Sequence, residues 1–470
     1  MHPVLGKLFA RTKSIHDIEA DATDGRRKLA RHLTAFDLTM IGIGGIIGAG
    51  IFVLTGTAAA TKAGPAVVLS FVFSGVGCAF AGFCYAELAS TIPVAGSAYT
   101  YAYATLGEII AWIIGWDLIL EYVVASITVS IGWSGYLVKW LEGYGLMLPS
   151  AWTHGTFDGG IVNLPAVLLV VAITALLIRG IKASARATAV LVLIKLGVIV
   201  LFLVLGVPWV RPAHWSPFFP FGWSGVIAGA GVIFFAYIGF DAVTTTSEET
   251  RNPQRDLPIG ILTSLVVCTV LYVLVALVLT GMVPFTELNH PAPVALALEK
   301  VGITWGMQLV SVGAVVGLAS VVIVMMTGQP RVFFAMSRDG LLSPWIAKVH
   351  GRFHTPYRAT LITGAVVALG AGTLSIQVAG EMTSIGTLFA FVVVCVGVIV
   401  LRRTRPDLRR GFKAPWNPFV PAAGALLCFT MMCGLEFATW VRFLGWMVVG
   451  LVIYVLYGRH YSHQKSEDLP

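Results

Sequence analysis

The residue with the most telling chemistry is Lys195, which lies in the middle of an apolar stretch, 184–206, long enough to cross a bilayer as one helix. Only Arg186, near the start of that stretch, adds a second charge to it. A charge at the centre of a membrane helix costs about 2.5–3.5 kcal/mol on insertion scales, so such residues usually face a cavity or an ion path. Lys195 therefore predicts a function that is carried out within the membrane.

Two carboxylates, Asp117 and Glu121, lie four residues apart in another long apolar stretch and so share one helix face. Carboxylates this close in a low dielectric do not both ionise readily. Glu121 either faces a pocket, where it meets a cationic side chain or relays a proton, or makes a buried polar contact between helices. Glu87 is expected to pair with basic loops or to belong to an intracellular gate.

The composition identifies the elements that must position these groups. Hydrophobic residues make up 57% of the 470 positions, charged residues 11%, and the mean hydropathy is +0.85. The apolar runs are continuous and about 20 residues long, which predicts transmembrane helices and excludes the short alternating strands of a β-barrel. The six cysteines and ten histidines show no metal-ligand spacing, so neither a metal nor a cofactor is predicted.

Proline, glycine and charged residues divide the apolar sequence into twelve predicted helices, which we number as spans 1 to 12. The predicted ranges are 37–60, 65–90, 98–137, 162–180, 184–206, 222–248, 258–283, 303–334, 358–377, 382–401, 417–438 and 440–458. Span 3 is too long for one vertical crossing. It is either strongly tilted or preceded by a separate segment near 99–106.

The basic residues test this count and indicate an orientation. With an even number of spans, 25 of the 31 Lys and Arg residues fall on the side of the N-terminal tail, five fall on the opposite side, and Lys195 lies between. This asymmetry predicts that the tails, 1–36 and 459–470, are cytoplasmic and that the protein is a multi-pass protein of the cell membrane. It also explains the net charge of +8 without nucleic-acid binding.

Glycines mark two places where helices are expected to break. Five lie between Gly42 and Gly50 in span 1, and span 6 is interrupted in the same way over 225–241. Tight helix packing is one interpretation of Gly44-x-x-x-Gly48; a broken-helix binding site is the other, since paired interrupted helices mark transporter sites. The exposed N–H ends suit a carboxylate and the C=O ends an ammonium group, which together describe a zwitterionic amino acid.

The chain also resembles the amino acid–polyamine–organocation superfamily, and within it a bacterial member of the cationic amino acid transporter family. The resemblance extends from about Lys28 to Gly458 and is carried by the segments 42–52, 85–90, 93–99, 239–241 and 248–258. It implies two inverted five-helix repeats, 37–206 and 222–401, with discontinuous helices 1 and 6, and two extra C-terminal helices within 417–458.

The resemblance also implies a substrate site between spans 1 and 6. By position, the backbone of Gly48, Ala49 and Gly50 would hold the substrate carboxylate, and Phe235 would be the aromatic gate. The carbonyl groups expected to hold the ammonium are those of Ile46, Phe235, Ala236 and Ile238. Relatives often have Ser or Thr where this chain has Ala49, so backbone donors would carry more of the recognition here.

Around this site the resemblance places Lys195 where relatives driven by protons carry a lysine in place of a sodium ion. Lys195 is either a permanent structural cation that bridges carbonyls of spans 1 and 8, or a group that exchanges its proton in each cycle. Glu121 is expected near the substrate. Met325 of span 8 either lines the side-chain pocket or simply packs.

These observations predict a secondary active transporter and not an enzyme, because no nucleophile–base pair, metal set or nucleotide-binding loop is present. Its expected substrates are cationic amino acids such as arginine and lysine, small neutral ones such as alanine, or both. The expected mechanism is alternating access coupled to protons. An exchanger without proton coupling and an amino acid sensor stay open, as do a monomeric state and a small accessory membrane subunit.

Overall fold

The computed structural model describes residues 33–92, 97–180, 185–351, 353 and 355–459. Almost all of the predicted tails and residues 93–96 of the resemblance motif lie outside the described residues. Within them the chain is helical, and one isolated bridge, between Leu33 and Thr250, is its only β pairing. The prediction of an all-α polytopic membrane protein is confirmed.

Helices occupy all twelve predicted spans. Their bounds are Ala35–Ile46 and 50–63 for span 1, Val67–Thr91 for span 2, Glu108–Glu142 for span 3, Leu164–Ile178 for span 4, Ala185–Gly206 for span 5, Gly222–Tyr237 and Phe240–Glu249 for span 6, Pro253–Met282 for span 7, Thr304–Arg338 for span 8, Tyr357–Thr373 for span 9, Ile376–Thr404 for span 10, Phe419–Cys433 for span 11 and Phe437–Gly458 for span 12.

Shorter helices connect the spans. They are Gly64–Ala66, Ser97–Thr105, Ser150–Thr153, Thr156–Asp158, Val207–Trp209, Pro212–Trp215, Phe285–Glu287 and Pro293–Lys300. By length and composition, seven of the described helices can cross a membrane on their own, and four apolar helices are shorter. The shorter ones include both halves that end at a break, Ala35–Ile46 and Gly222–Tyr237.

Several boundaries differ from the sequence prediction by a few residues. The long third stretch consists of two helices separated at Gly107, whose φ of 93° ends the first of them, so the separate segment near 99–106 is confirmed. Span 9 ends at Thr373 and span 10 begins at Ile376, because the hydroxyl of Ser375 caps the new helix by accepting from the Val378 N–H. Gln377 was therefore wrongly placed in span 9. Span 12 begins at Phe437 rather than 440.

Local chemistry explains why span 1 begins where it does. Thr34 and Asp37 form a capping box, in which the backbone N–H of Thr34 donates to the Asp37 carboxylate over 2.9 Å and the Asp37 N–H donates to the Thr34 hydroxyl over 3.4 Å. From this start, span 1 packs against spans 5 and 7, while spans 3 and 8 pack extensively against each other. The first half of span 6 packs against spans 1, 2, 10 and 11.

Candidate functional site

Span 1 breaks at the position that the glycine cluster predicts. The first half ends at Ile46, and Ile47 adopts an extended conformation with φ −73° and ψ 101°. Helical structure resumes at Gly50 as a π-helical turn. Ile47 and Gly48 therefore interrupt the helix while buried, which leaves backbone groups on either side of the break outside the regular helical hydrogen-bond pattern.

Span 6 breaks in a similar way. Its first half tightens to a 3₁₀ turn over Phe234–Tyr237, Ile238 is extended with ψ 137°, and Gly239 has a φ of 116°, a conformation that L side chains rarely adopt. A second 3₁₀ segment, Phe240–Glu249, follows. The prediction of discontinuous helices 1 and 6 is confirmed.

The two breaks are in direct backbone contact. A Cβ atom added at Gly50 would lie 2.2 Å from the Cα of Ala236, and one added at Gly45 would lie 2.8 Å from the carbonyl oxygen of Gly239. Neither contact leaves room for a side chain, so glycine is required at both positions by the neighbouring backbone. Tight packing and broken helices, which the sequence left as alternatives, therefore occur together.

A residue that the sequence did not single out joins the two breaks. The hydroxyl of Tyr272, in span 7, lies 2.9 Å from the carbonyl oxygen of Ile46 and 2.8 Å from that of Ala236. Its single proton is thus shared between two carbonyls that the resemblance assigned to a substrate ammonium. Tyr272 is fully buried, and its ring packs against Phe71 and Tyr237 with centroids 5.5 Å from each. No spacing signal marked this tyrosine, because its partners lie in spans 1 and 6.

Lys195 reaches the same region from span 5. Its Nζ donates to the carbonyl oxygens of Gly44 over 2.9 Å and Ile47 over 3.1 Å, and its side chain is 1% exposed. Both of these carbonyls belong to span 1. Span 8, the other predicted source of carbonyls, packs against the alkyl chain of Lys195: a Cβ at Gly317 would lie 3.0 Å from the Lys195 Cγ. The ammonium therefore sits at the C-terminal end of the first half of span 1, where a cation is favoured by the free carbonyls.

The remaining predicted site residues are buried around the two breaks. Gly48 faces Val321 of span 8, whose nearest atom would lie 3.4 Å from an added Cβ. Ala49 lies next to span 3, since a Cβ added at Gly132 of that span would be 3.6 Å from the Cβ of Ala49. Phe235, Ile238 and Met325 are between 3% and 6% exposed. The structure thus places these side chains in the protein interior on spans 1, 6 and 8.

The carboxylates form a buried acidic layer beside the break of span 6. Glu121 is 2% exposed and lies close to Thr387 of span 10 and to Asp241, which follows the break. Asp117 is fully buried, and neither of its carboxyl oxygens has a hydrogen-bond partner among the described residues. A Cβ added at Gly386 would lie 2.8 Å from Asp117 Oδ1, so Asp117 also faces span 10. The shared face predicted for Asp117 and Glu121 is therefore directed towards this span.

Charged groups close one end of the bundle. At the end of span 1, Lys62 Nζ lies 2.6 Å from Glu436 Oε1 and 4.0 Å from Glu381 Oε1. Glu381, in span 10, is 1% exposed and also accepts from the hydroxyl of Thr439 over 2.7 Å and from the amide of Gln377 over 3.2 Å. This network joins the second half of span 1 to spans 10 and 12. A movement of that half relative to spans 10 and 12 must break it.

At the opposite end, Glu87 of span 2 pairs with basic residues. This pairing is one of the two roles predicted for it. Its carboxylate accepts from the guanidinium of Arg402 with an Nε–Oε1 distance of 2.8 Å, and from the backbone N–H of Ala414 over 2.8 Å. Arg410 Nε lies 3.3 Å from the same carboxylate. Two arginines on one buried carboxylate fix the connection between spans 10 and 11 to span 2.

Broken, apposed helices in an all-helical membrane bundle define a class of secondary transporter. In agreement with this, residues 33–455 match the family model described as amino acid permease. The chain is 48% identical to a methylthioribose transporter and 49% identical to the branched-chain amino acid permease BcaP, both of Bacillus subtilis, in each case over 97% of this chain and 99% of the relative. It is 40% identical to the vacuolar cationic amino acid transporter 4 of Arabidopsis thaliana, over 85% of this chain and 68% of the relative.

The chain belongs to the amino acid permease family, within the superfamily that its motifs resemble. It is a multi-pass membrane protein.

Proposed function

We propose that this protein is a secondary active transporter, and not an enzyme, which imports L-amino acids by alternating access. The observation that carries the proposal is the backbone contact between the breaks of spans 1 and 6 at Gly50 and Ala236. It brings free N–H and C=O groups from two half-helices into one buried region, which provides separate ends for a carboxylate and an ammonium group.

In this proposal the N–H groups of Gly48, Ala49 and Gly50 bind the substrate carboxylate at the start of the second half of span 1. The ammonium binds at the carbonyls of Ile46, Phe235, Ala236 and Ile238. Two of these carbonyls, those of Ile46 and Ala236, accept from Tyr272 in the present structure. The Tyr272 hydroxyl therefore donates to carbonyls that the substrate ammonium is proposed to bind. When substrate binds, the ammonium donates to these carbonyls in place of part of the hydroxyl's contribution.

We propose neutral amino acids as the preferred substrates. Val321 faces Gly48, and Met325 and Phe235 are buried nearby on spans 8 and 6, which suits an apolar substrate side chain. Two relatives, each matched over 99% of its length, are named for a branched-chain amino acid and a methylthioribose substrate, neither of which carries a cationic side chain. Cationic amino acids are the second candidate class, favoured by the buried carboxylate of Glu121 and by the plant relative.

Proton coupling belongs to the same proposal. Lys195 holds the carbonyls of Gly44 and Ile47, on either side of the end of the first half of span 1. Loss of its proton removes the ammonium that these carbonyls bind and frees that half-helix to move. Glu121 assists by relaying a proton in the acidic layer. In the alternative role, Lys195 is a permanent structural cation and the protein is an amino acid exchanger or a sensor.

The arrangement in the membrane follows from the basic loops. We propose that the protein lies in the plasma membrane with both termini cytoplasmic, so that the Lys62 network closes the outer end and the Glu87 pairs lie at the inner end. The two repeats, 37–206 and 222–401, would each contribute one broken helix, with 417–458 as two additional helices. We propose a monomer, to which a small membrane subunit could attach.

The function is tested by uptake of radiolabelled leucine, alanine and arginine into proteoliposomes, with an inward proton gradient and without one. We expect saturable uptake of leucine or alanine that the gradient stimulates. Uptake of arginine alone would reassign the substrate class. Uptake that ignores the gradient but requires internal amino acid would make the protein an exchanger, and binding without any flux would make it a sensor.

Replacing Tyr272 by phenylalanine tests the place of the ammonium. The variant leaves two buried carbonyls without their donor, at a cost of about 1–3 kcal/mol for each unsatisfied group. We expect a lower melting temperature without substrate and a larger substrate-induced rise in melting temperature than in the unmodified protein, since the ammonium then restores the missing donor. An equal or smaller rise would show that the hydroxyl and the substrate do not share these carbonyls.

A further inference from the structure

A groove lies between the first three turns of span 7 and the connection between spans 10 and 11. Its volume is about 300 Å³. Its lining residues are Gln254, Arg255, Pro258, Ile259, Leu262, Gly411 and Phe412. The groove is on the same end of the bundle as the basic loops and is separate from the two breaks. The substrate proposal assigns it no role.

The lining is polar at one end and apolar along the direction of the membrane. Arg255, Ile259 and Leu262 are spaced by four and three residues, so they follow one face of span 7 from its first turn inwards. Arg255 is exposed, Ile259 is 40% exposed, and Leu262 is partly exposed. The opposite wall includes Phe412, whose ring is stacked on that of Phe83 at 6.3 Å. This succession of a cation and then apolar side chains matches a lipid headgroup followed by its acyl chain.

Positive charge is available in this groove. Arg402 and Arg410 are engaged with Glu87. Arg255 lines the groove, and Lys413 directly follows the lining residue Phe412 in the chain. Both are exposed, and neither side chain has an ion-pair or hydrogen-bond partner among the described residues. An unpaired cation that lines an apolar groove, with a second one next to a lining residue in the chain, is complementary to an anionic group.

The same connection carries aromatic residues typical of the membrane interface. Trp416 is 78% exposed and Phe419, where span 11 begins, is 64% exposed. Trp is enriched at the level of the lipid headgroups, so these residues place the 10–11 connection at that level. The connection also contacts span 7 directly, because a Cβ at Gly411 would lie 2.5 Å from the Cβ of Gln254.

We propose that this groove binds the headgroup of an anionic phospholipid, such as phosphatidylglycerol. The phosphate pairs with Arg255 and Lys413, and an acyl chain lies along Ile259, Leu262 and Phe412. The bound lipid joins the first turns of span 7, the helix that carries Tyr272, to the connection anchored on Glu87. The assignment concerns a lipid and does not depend on which substrate the transporter carries or how it is driven.

The test measures lipid binding without transport. The purified full-length protein in detergent is titrated with phosphatidylglycerol or phosphatidylcholine, while native mass spectrometry counts bound lipid and the melting temperature is recorded. We expect retention of phosphatidylglycerol over phosphatidylcholine. Arg255→Gln is expected to weaken phosphatidylglycerol binding about fivefold, as expected for one basic residue at a lipid surface.

Two further variants separate the groove from general surface charge. Ile259→Trp keeps every charge but fills the lipid-facing side of the groove, and we expect it to weaken phosphatidylglycerol binding as well. Arg459→Gln removes an exposed charge at the end of span 12, outside the groove, and should leave binding unchanged. Equal losses of phosphatidylglycerol binding in Arg255→Gln and Arg459→Gln would contradict the proposal that the lipid binds in this groove.

Other occupants give distinct results, each of which overturns the proposal. An equal rise in melting temperature with glycerol 3-phosphate or inorganic phosphate would assign the cations to a free phosphate. Equal retention of phosphatidylcholine would reduce the groove to a general hydrophobic contact. Phosphatidylglycerol binding that appears only after removal of residues 1–32 would assign the groove to that segment of the chain.

Discussion

Replacing Lys195 by alanine is expected to abolish the stimulation of uptake by an inward proton gradient while leaving the protein folded and inserted. The variant removes the ammonium that donates to the carbonyls of Gly44 and Ile47 at the end of the first half of span 1. If this group exchanges its proton during the cycle, its loss uncouples the half-helix from the gradient. The measurement is initial uptake rate in proteoliposomes as a function of external pH, at fixed internal pH.

A matched variant separates the two roles of Lys195. Lys195→Arg keeps a positive charge at the same depth, but a guanidinium does not release its proton at accessible pH. We expect this variant to bind substrate yet lack gradient-stimulated uptake. Full pH dependence in either variant would contradict the coupling role. If Lys195→Arg, but not Lys195→Ala, shows normal gradient-driven transport, Lys195 is a structural cation.

Replacing Gly50 by alanine is expected to cause a loss of transport on the order of tenfold to a hundredfold. The new Cβ would lie 2.2 Å from the Cα of Ala236 and 2.7 Å from its backbone nitrogen, so neither side can yield by turning a side chain. Overpacking costs typically 1–3 kcal/mol, and about 1.4 kcal/mol corresponds to a factor of ten. The two breaks must separate, and the donors and acceptors for one substrate molecule then no longer converge.

The measurement for Gly50→Ala combines substrate-induced thermal stabilisation with uptake, after size-exclusion chromatography has established that the variant is folded. Gly197→Ala is the matched control. Gly197 is also a glycine within a membrane helix, span 5, but an added Cβ there would have no atom within 4 Å. Normal substrate binding by Gly50→Ala would show that the contact between the breaks is not part of the binding site.

The carboxylates show how far a pattern within one helix extends. The four-residue spacing of Asp117 and Glu121 predicted a common face, and both residues are buried towards span 10. The spacing carried no information on what that face meets. Thr387 and Asp241, which lie close to Glu121, belong to other helices more than a hundred residues further along the chain. Asp117 has no hydrogen-bond partner among the described residues. Whether a carboxylate finds a partner depends on the neighbouring helices and not on its own sequence.

The sequence by itself determined the class of protein and the number of spans, and it marked the positions of the two breaks while leaving tight packing as the alternative. Each of these depends on local properties: runs of about 20 apolar residues, the distribution of Lys and Arg between loops, and glycines that weaken a helix. The tertiary structure alone decided which groups meet. The Tyr272 hydroxyl bridges Ile46 and Ala236, and Lys62 pairs with Glu436 across 374 positions of the chain. Such contacts arise from the packing of helices that are distant in sequence, so no residue spacing within one helix encodes them.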